Sequence, residues 1–262
     1  MSPDRVEVAP LFRLDGQSAI VTGASAGLGR QIAHGLAAAG CAVLCAARRE
    51  PELRELAGEI LRFGGRAEVY PADVRDPEHA ERLVSRAVAA FGRLDGVVLN
   101  AGITALHPAE EVDLAAFAEV LEVNVTAQMA LAAAAAREMI PQGRGWMILQ
   151  SSILARKAGT GTGVAAYCAS KAAVEGLTRE LARQWGPRGI RVNALAAGVF
   201  PTEMNAPALE DGARSGELLA RIPLGRFGEA ADIAGATVFL ASEAAAYVTG
   251  QVLPLDGGMT VW

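Results

Sequence analysis

A chain of 262 residues, 52% hydrophobic and 20% charged, can bury a substantial core and does not have the composition of a disordered chain. Its 24 basic and 29 acidic residues leave a net charge of −5, which argues against a nucleic-acid partner, whose phosphates require a basic face. The longest purely apolar run, 129–136, is far shorter than the ~20 residues of a bilayer span, so no membrane partner is expected. The opening MSPDRVEVAPLFRLDG has no apolar stretch ahead of a small-residue cleavage site, so a cytoplasmic protein is expected. In that compartment Cys41, Cys45 and Cys168 should be free thiols. No metal is expected, because His34, His79 and His107 share no ligand spacing with them.

In chain order the pattern alternates strand and helix. Apolar 18–22 reads as a strand, and the helix after it carries Leu28, Ile32, Leu36 and Ala39 at helical spacing. A strand at 42–46 precedes a helix over 51–63, and a strand at 67–70 precedes a helix that Pro77 should open. A strand at 96–99 follows, and Asp113 is placed to cap a long alanine-rich helix running to about Ile140. The second half repeats the scheme, with strands at 146–150, 190–195 and 252–255 and helices at 165–185 and 230–242. The strand runs are apolar without alternation, as in parallel strands covered on both faces, and no linker or composition break interrupts them. The expected fold is therefore α/β: one doubly wound parallel sheet with helices on both faces, in a single domain. Residues 200–224, with Pro201, Pro207 and Pro223, are the least regular and read as a loop or lid over a substrate.

Between the first strand and helix stands Gly23-Ala-Ser25-Ala-Gly27-Leu28-Gly29. Glycines there permit a tight turn and let backbone N–H groups and a helix N-terminus meet a pyrophosphate. Tyr167 and Lys171 lie four apart on a helix, on one face, where an ammonium could favour the phenolate of a side chain whose ordinary pKa is near 10. At the end of the second strand Ala47 stands where NAD-binding units place an acidic residue, and Arg48 and Arg49 follow. Guanidinium groups there suit a 2′-phosphate, so NADP(H) is expected, with NAD(H) as the alternative.

These motifs, with Asp73-Val74 after the third strand, Asn-Ala-Gly at 100–102 and YVTGQVLPLDGG at 247–258, resemble the short-chain dehydrogenase/reductase family. The resemblance runs from Leu14 to Gly258, and its nearest branches look 3-oxoacyl-carrier-protein reductase-like or gluconate 5-dehydrogenase-like. It implies a Rossmann-type domain over 1–262 with an N-terminal extension at 1–13, and a catalytic tetrad of Asn124, Ser152, Tyr167 and Lys171. Ser151 is the alternative serine. It further implies that the dinucleotide lies on Gly23, Ser25, Gly27, Leu28 and Gly29, with its adenine at Asp73 and Val74 and a ribose over Asn100, Ala101 and Gly102. Tyr167 and Lys171 would touch its other ribose, and Gly198, Val199 and Thr202 its carboxamide. Ala197 replaces the family's usual proline before Gly198 and removes a fixed φ there.

Ile103, Thr104, Ile153, Leu154, Val164, Phe200 and Met204 are candidate walls for a small carbonyl or alcohol substrate. Arg156 and Lys157 are placed to meet a carboxylate, and the GTGTG at 159–163 to form a flexible rim. A 3-oxoacyl thioester, a sugar acid and a neutral ketone all remain open. The resemblance also implies a homotetramer built through the helices around 113–140 and 165–186 and the last strand. A non-catalytic NADP-binding regulator could share the fold, but the chain keeps Ser152, Tyr167 and Lys171, and a methyltransferase has no use for that last pair.

Overall fold

The computed structural model describes residues 6–159 and 163–261; the middle of the expected GTGTG rim lies outside. Seven parallel strands form one sheet in the order β3-β2-β1-β4-β5-β6-β7. They are β1 (Ser18–Thr22), β2 (Ala42–Ala47), β3 (Arg66–Pro71), β4 (Gly96–Leu99), β5 (Gly145–Ser152), β6 (Ile190–Ala197) and β7 (Val252–Leu255). Every internal connection between them is a crossover, so helices lie on both faces, as the apolar strand runs imply.

Successive strand residues divide between two cores. Ile20, Val97, Leu99, Met147, Leu149, Ile190 and Val192 face one side, under α3 (His79–Phe91), α5 (Ala127–Gln142) and α6 (Ala165–Trp185). Ala19, Val21, Val98, Ile148 and Leu195 face the other, under α1 (Gly27–Ala38), α2 (Glu50–Arg62) and α9 (Ala230–Ala241). Each fully buried Leu, Ile or Val contributes about 1.5–3 kcal/mol. Gly96 is required by this packing, because a Cβ there would lie 2.1 Å from the Trp146 ring. Trp146 in turn donates its indole N–H to Gln17 Oε1 at 2.9 Å.

Three departures from the expected elements have local causes. Helix α3 begins at His79 rather than Pro77, because Asp76 takes the turn: its carboxylate accepts from the Glu78 N–H at 2.9 Å and its carbonyl from the His79 N–H at 3.0 Å. The long helix starts where Asp113 accepts from the Ala115 N–H at 2.8 Å, as expected, but it is not continuous. It comprises α4 (Leu114–Leu121), a π-helical turn over Glu122–Thr126, and α5. Although this 29-residue run is apolar and long enough to cross a bilayer, α5 packs on α3 and β4 and α4 on α6. The segment 200–224 holds two short helices, α7 (Ala206–Glu210) and α8 (Gly212–Leu219), the second capped by Asp211 through the N–H groups of Ala213 and Arg214. Of the N-terminal stretch, residues 9–12 form a 3-10 turn that sets Phe12 against Phe239, ring centroids 6.4 Å apart.

Candidate active site

The chain reverses its order between β1 and β4, and the crevice outside the carboxyl ends of such strands is where open α/β sheets take ligands. Thr22 ties the two strand ends together: its Oγ1 accepts from the N–H groups of Asn100 and Ala101 at 3.0 and 3.1 Å, and its carbonyl from Asn100 Nδ2 at 2.9 Å. Gly23 and Gly27 take φ values of +67° and +53°, which L side chains rarely adopt. A Cβ on Gly29 would stand 2.2 Å from the Gly23 carbonyl oxygen. At the N-terminus of α1 the capping position is Ala26, which offers no side-chain acceptor, so the first-turn N–H groups are left for an anion. The cradle therefore fits a dinucleotide pyrophosphate. Across it, the Thr202 methyl lies 3.2 Å from where a Gly27 Cβ would be, so the segment after β6 roofs the loop.

At the end of β2, Arg48 is exposed and forms no ion pair with any described residue, though its field helps lower Asp73. Asp73 is pulled to about 2, chiefly by hydrogen bonds from the Arg75 guanidinium. Arg49 is engaged: it grips Glu203 through two hydrogen bonds of 3.2 and 3.0 Å and reaches Ser25 Oγ at 3.4 Å. Sequence reasoning missed the pairing with Glu203, since the partners are 154 positions apart.

Ser152 ends β5, and Tyr167 and Lys171 stand on the first turns of α6. The Ser152 hydroxyl accepts from the Leu154 N–H at 3.2 Å and stands close enough to Tyr167 to lower its pKa. Ser151 turns away, toward Glu175 and the Lys171 carbonyl. Lys171 is 2% exposed, with Nζ 5.4 Å from the Tyr167 ring centroid.

The expected acidification of the phenol by this ammonium is not what the geometry gives. Nζ lies over the ring and donates to the Gln150 carbonyl at 2.7 Å. Burial dominates and raises the Tyr167 pKa above its ordinary value; the neighbouring Ser152 hydroxyl opposes it. Burial also pushes Lys171 down to about 8. Its folded-state pKa thus lies below the unfolded 10.5, so the unfolded chain binds more protons between these values. Stability from this group is present above 10.5 and lost as pH falls through 8. Denaturant titrations of the unliganded protein should therefore show wild type gaining on Lys171→Met as pH rises from 7 to 10. A constant difference would contradict the burial of a charged Lys171.

Asn124 is fully buried in the π-helical turn. Its Oδ1 accepts from the Ile103 N–H at 2.8 Å, and its Nδ2 donates to the Ile103 carbonyl at 2.9 Å and to Ser170 Oγ at 3.0 Å. This three-way tie draws the chain inward and accounts for the widened turn, a distortion frequent at functional sites. Gly102 lies over the pair: a Cβ there would be 3.2 Å from Asn124 Oδ1 and 3.6 Å from Lys171 Nζ. Two supports, Ser170 and Gln128, escaped the sequence reading. Ser170 donates to the Tyr167 carbonyl at 2.7 Å, and Gln128, one turn after Asn124, donates to the Ala101 carbonyl at 3.0 Å. A lone glutamine in an alanine run was the available signal.

The expected substrate walls separate. Leu154 and Val164 line a cavity of about 470 Å³ with Cys168, and Thr104 and Ile103 are half-buried near Asn124, while Met204 is exposed. Phe200 belongs to the core instead: it is 2% exposed, and its ring lies 2.4 Å from where a Gly228 Cβ would be. Ile153 is buried with Ile222 and Met259. Arg156 is committed to the buried Glu175 at 2.9 Å and Lys157 to the Met259 carbonyl at 3.0 Å, so neither stands free for a carboxylate. After β6, a Cβ on Gly198 would fall 2.7 Å from Asp256, and Val199 accepts from the Gly228 N–H at 3.0 Å. Cys41 and Cys45 are buried free thiols, Cys45 pushed up to about 12 by burial.

A family model described as enoyl-(acyl carrier protein) reductase matches residues 23–260. The chain belongs to the short-chain dehydrogenase/reductase family. It is an oxidoreductase acting on CH–OH groups, interconverting a secondary alcohol and a ketone with a nicotinamide dinucleotide. Gluconate 5-dehydrogenase of Gluconobacter oxydans is 38% identical over 251 residues, covering 96% of this chain and 97% of that one. Galactitol 2-dehydrogenase (L-tagatose-forming) of Cereibacter sphaeroides is 39% identical, covering 96% and 98%. Among solved structures, a gluconate 5-dehydrogenase from Burkholderia cenocepacia J2315, in complex with NADP and tartrate, is 35% identical. It superposes with a TM-score of 0.90 over 96% of this chain and 98% of that one.

Proposed function

We propose that the protein oxidises a secondary hydroxyl of a sugar acid or polyol, and reduces the matching ketone, with NADP(H). The observation that carries the chemistry is Ser152 beside Tyr167, close enough to act on its pKa, with Lys171 against the same ring, where β5 ends and α6 begins. The bound cofactor supplies or accepts a hydride at the substrate carbon. Everything else falls to side chains of this chain. Burial keeps the Tyr167 phenol protonated, so in the reducing direction it gives its proton to the carbonyl oxygen as charge builds there. The Ser152 oxygen already accepts from Leu154, which leaves its own hydrogen to point at the same substrate oxygen or at Tyr167. Lys171, fixed on the Gln150 carbonyl, places positive charge beneath the ring and offers its remaining donors to ribose hydroxyls. Asn124 holds the Ile103 backbone, and with it the 100–104 turn, over Lys171.

For the cofactor, the absence of a carboxylate at Ala47 and the exposed Arg48 beside Arg49 favour a 2′-phosphate. The substrate class is taken from the polyhydroxylated compounds named for the relatives. The reading extends to one domain over 1–262 with 200–224 as substrate lid, located in the cytoplasm. Assembly as a homotetramer would use the helices 113–140, where Leu114 is exposed, and 165–186, and β7, an edge strand. Light scattering returning a monomer at micromolar concentration would remove that assembly.

The deciding experiment is a panel with NADPH and NADH: a 5-oxo sugar acid, a ketose, a 3-oxoacyl thioester and a neutral ketone, with the matching alcohols in reverse. The polyhydroxylated pair should give the highest kcat/KM, at least tenfold better with NADP(H). Preference for the thioester, or for NADH, would overturn the respective half of the reading.

A further inference from the structure

Arg49 is held by the wrong partner for a phosphate ligand. Its guanidinium closes a bidentate pair with Glu203, the residue after Thr202, with N–O distances of 3.2 and 3.0 Å. It also lies 3.4 Å from Ser25 in the glycine loop and 3.6 Å from Glu52 one turn along α2. Glu52 lies in the first turn of α2, which Arg49 immediately precedes, and is present whatever the rest of the fold does. Glu203 comes from the segment after β6 and spans the crevice to reach Arg49. Both partners are substantially exposed, 44% for Arg49 and 69% for Glu203, so the pair can be exchanged for another anion without unpacking the core.

We propose that Glu203 is a selectivity-determining residue for the cofactor: it competes with the 2′-phosphate for Arg49, so NADP must break an ion pair that NAD leaves intact. The inference rests on the reading that Arg48 and Arg49 receive the 2′-phosphate. Arg48, which has no ion pair among the described residues, makes the first contact; Arg49 joins it only on leaving Glu203. A planar guanidinium accepts either oxyanion bidentately, which is what makes the exchange direct.

The test is calorimetric binding of adenosine 2′,5′-bisphosphate and of ADP to the purified full chain. In Glu203→Gln the bisphosphate should bind about threefold more tightly, the scale of an exposed ion pair, while ADP is unchanged. In an Arg49→Met background the same Glu203→Gln change should have no effect on either ligand. A gain that persists without Arg49, or an equal gain for ADP, would show general charge repulsion and overturn the competition; weaker bisphosphate binding in Glu203→Gln would overturn it too. Failure of the underlying reading looks different: Arg48→Met and Arg49→Met would each bind the bisphosphate as wild type does. Unchanged melting temperatures confirm that these surface variants fold.

Discussion

Tyr167→Phe is expected to lower kcat by about 10³-fold in both directions, within the range by which positioned proton donors act, while dinucleotide binding stays within about twofold. The change deletes one oxygen and its proton and keeps the ring that Lys171 lies against. Because burial raises the phenol pKa, the resting enzyme is poised as an acid. Ketone reduction should therefore hold its rate through neutral pH and fall at alkaline pH, while alcohol oxidation rises with pH. Steady-state kinetics on Tyr167→Phe and the wild type in both directions check the first expectation, and pH profiles on the wild type the second. A Phe variant retaining a tenth of the wild-type kcat would remove Tyr167 from the proton path.

Gly29→Ala should abolish cofactor binding and cost about 1–3 kcal/mol of stability, as overpacking does. Its Cβ would fall 2.2 Å from the Gly23 carbonyl oxygen and 2.5 Å from Asn100 Nδ2, and neither can retreat: the first is backbone, and the second is bonded to the Thr22 carbonyl. The loop must open, which misaligns the N–H groups at the head of α1. Gly58→Ala is the matched control, because a Cβ there meets nothing within 4 Å and the site lies mid-helix in α2, where alanine is the better helix former by about 1 kcal/mol. Fluorescence titration with NADPH and thermal melts of both variants read the contrast; tight NADPH binding by Gly29→Ala would contradict the close packing at the turn.

The sheet was legible because each strand is an apolar run of parallel type and each crossover helix carries its own period; β4, β7 and α6 fall at the expected residues. What departed was decided by side chains that bond beyond their own element. Asn124 bonds the Ile103 backbone and breaks the long helix with a wide turn, and no periodicity in 114–142 announces that. Asp76 moves the start of α3 by two residues. The site was legible where spacing brings groups together, as with Tyr167 and Lys171, or where loop chemistry is local, as with Gly23, Gly27 and Gly29. It was not legible where tertiary contacts compete for a group. Arg156 reads as a free cation and is bound to Glu175, Phe200 reads as a pocket wall and fills the core, and Arg49 is held from 154 residues away. The electrostatic expectation for Tyr167 failed for the same reason: the direction of Lys171 Nζ is set by the Gln150 carbonyl, a backbone group.

The most direct test of the account follows the label from NADPH carrying deuterium at the transferable position of its nicotinamide, with a 5-oxo sugar acid as substrate. Wild type should place one deuterium on the new carbinol carbon, and Tyr167→Phe, loaded with the same cofactor, should place almost none in the same time. NADPH consumed without deuterium reaching that carbon, or equal labelling by the two proteins, would contradict it.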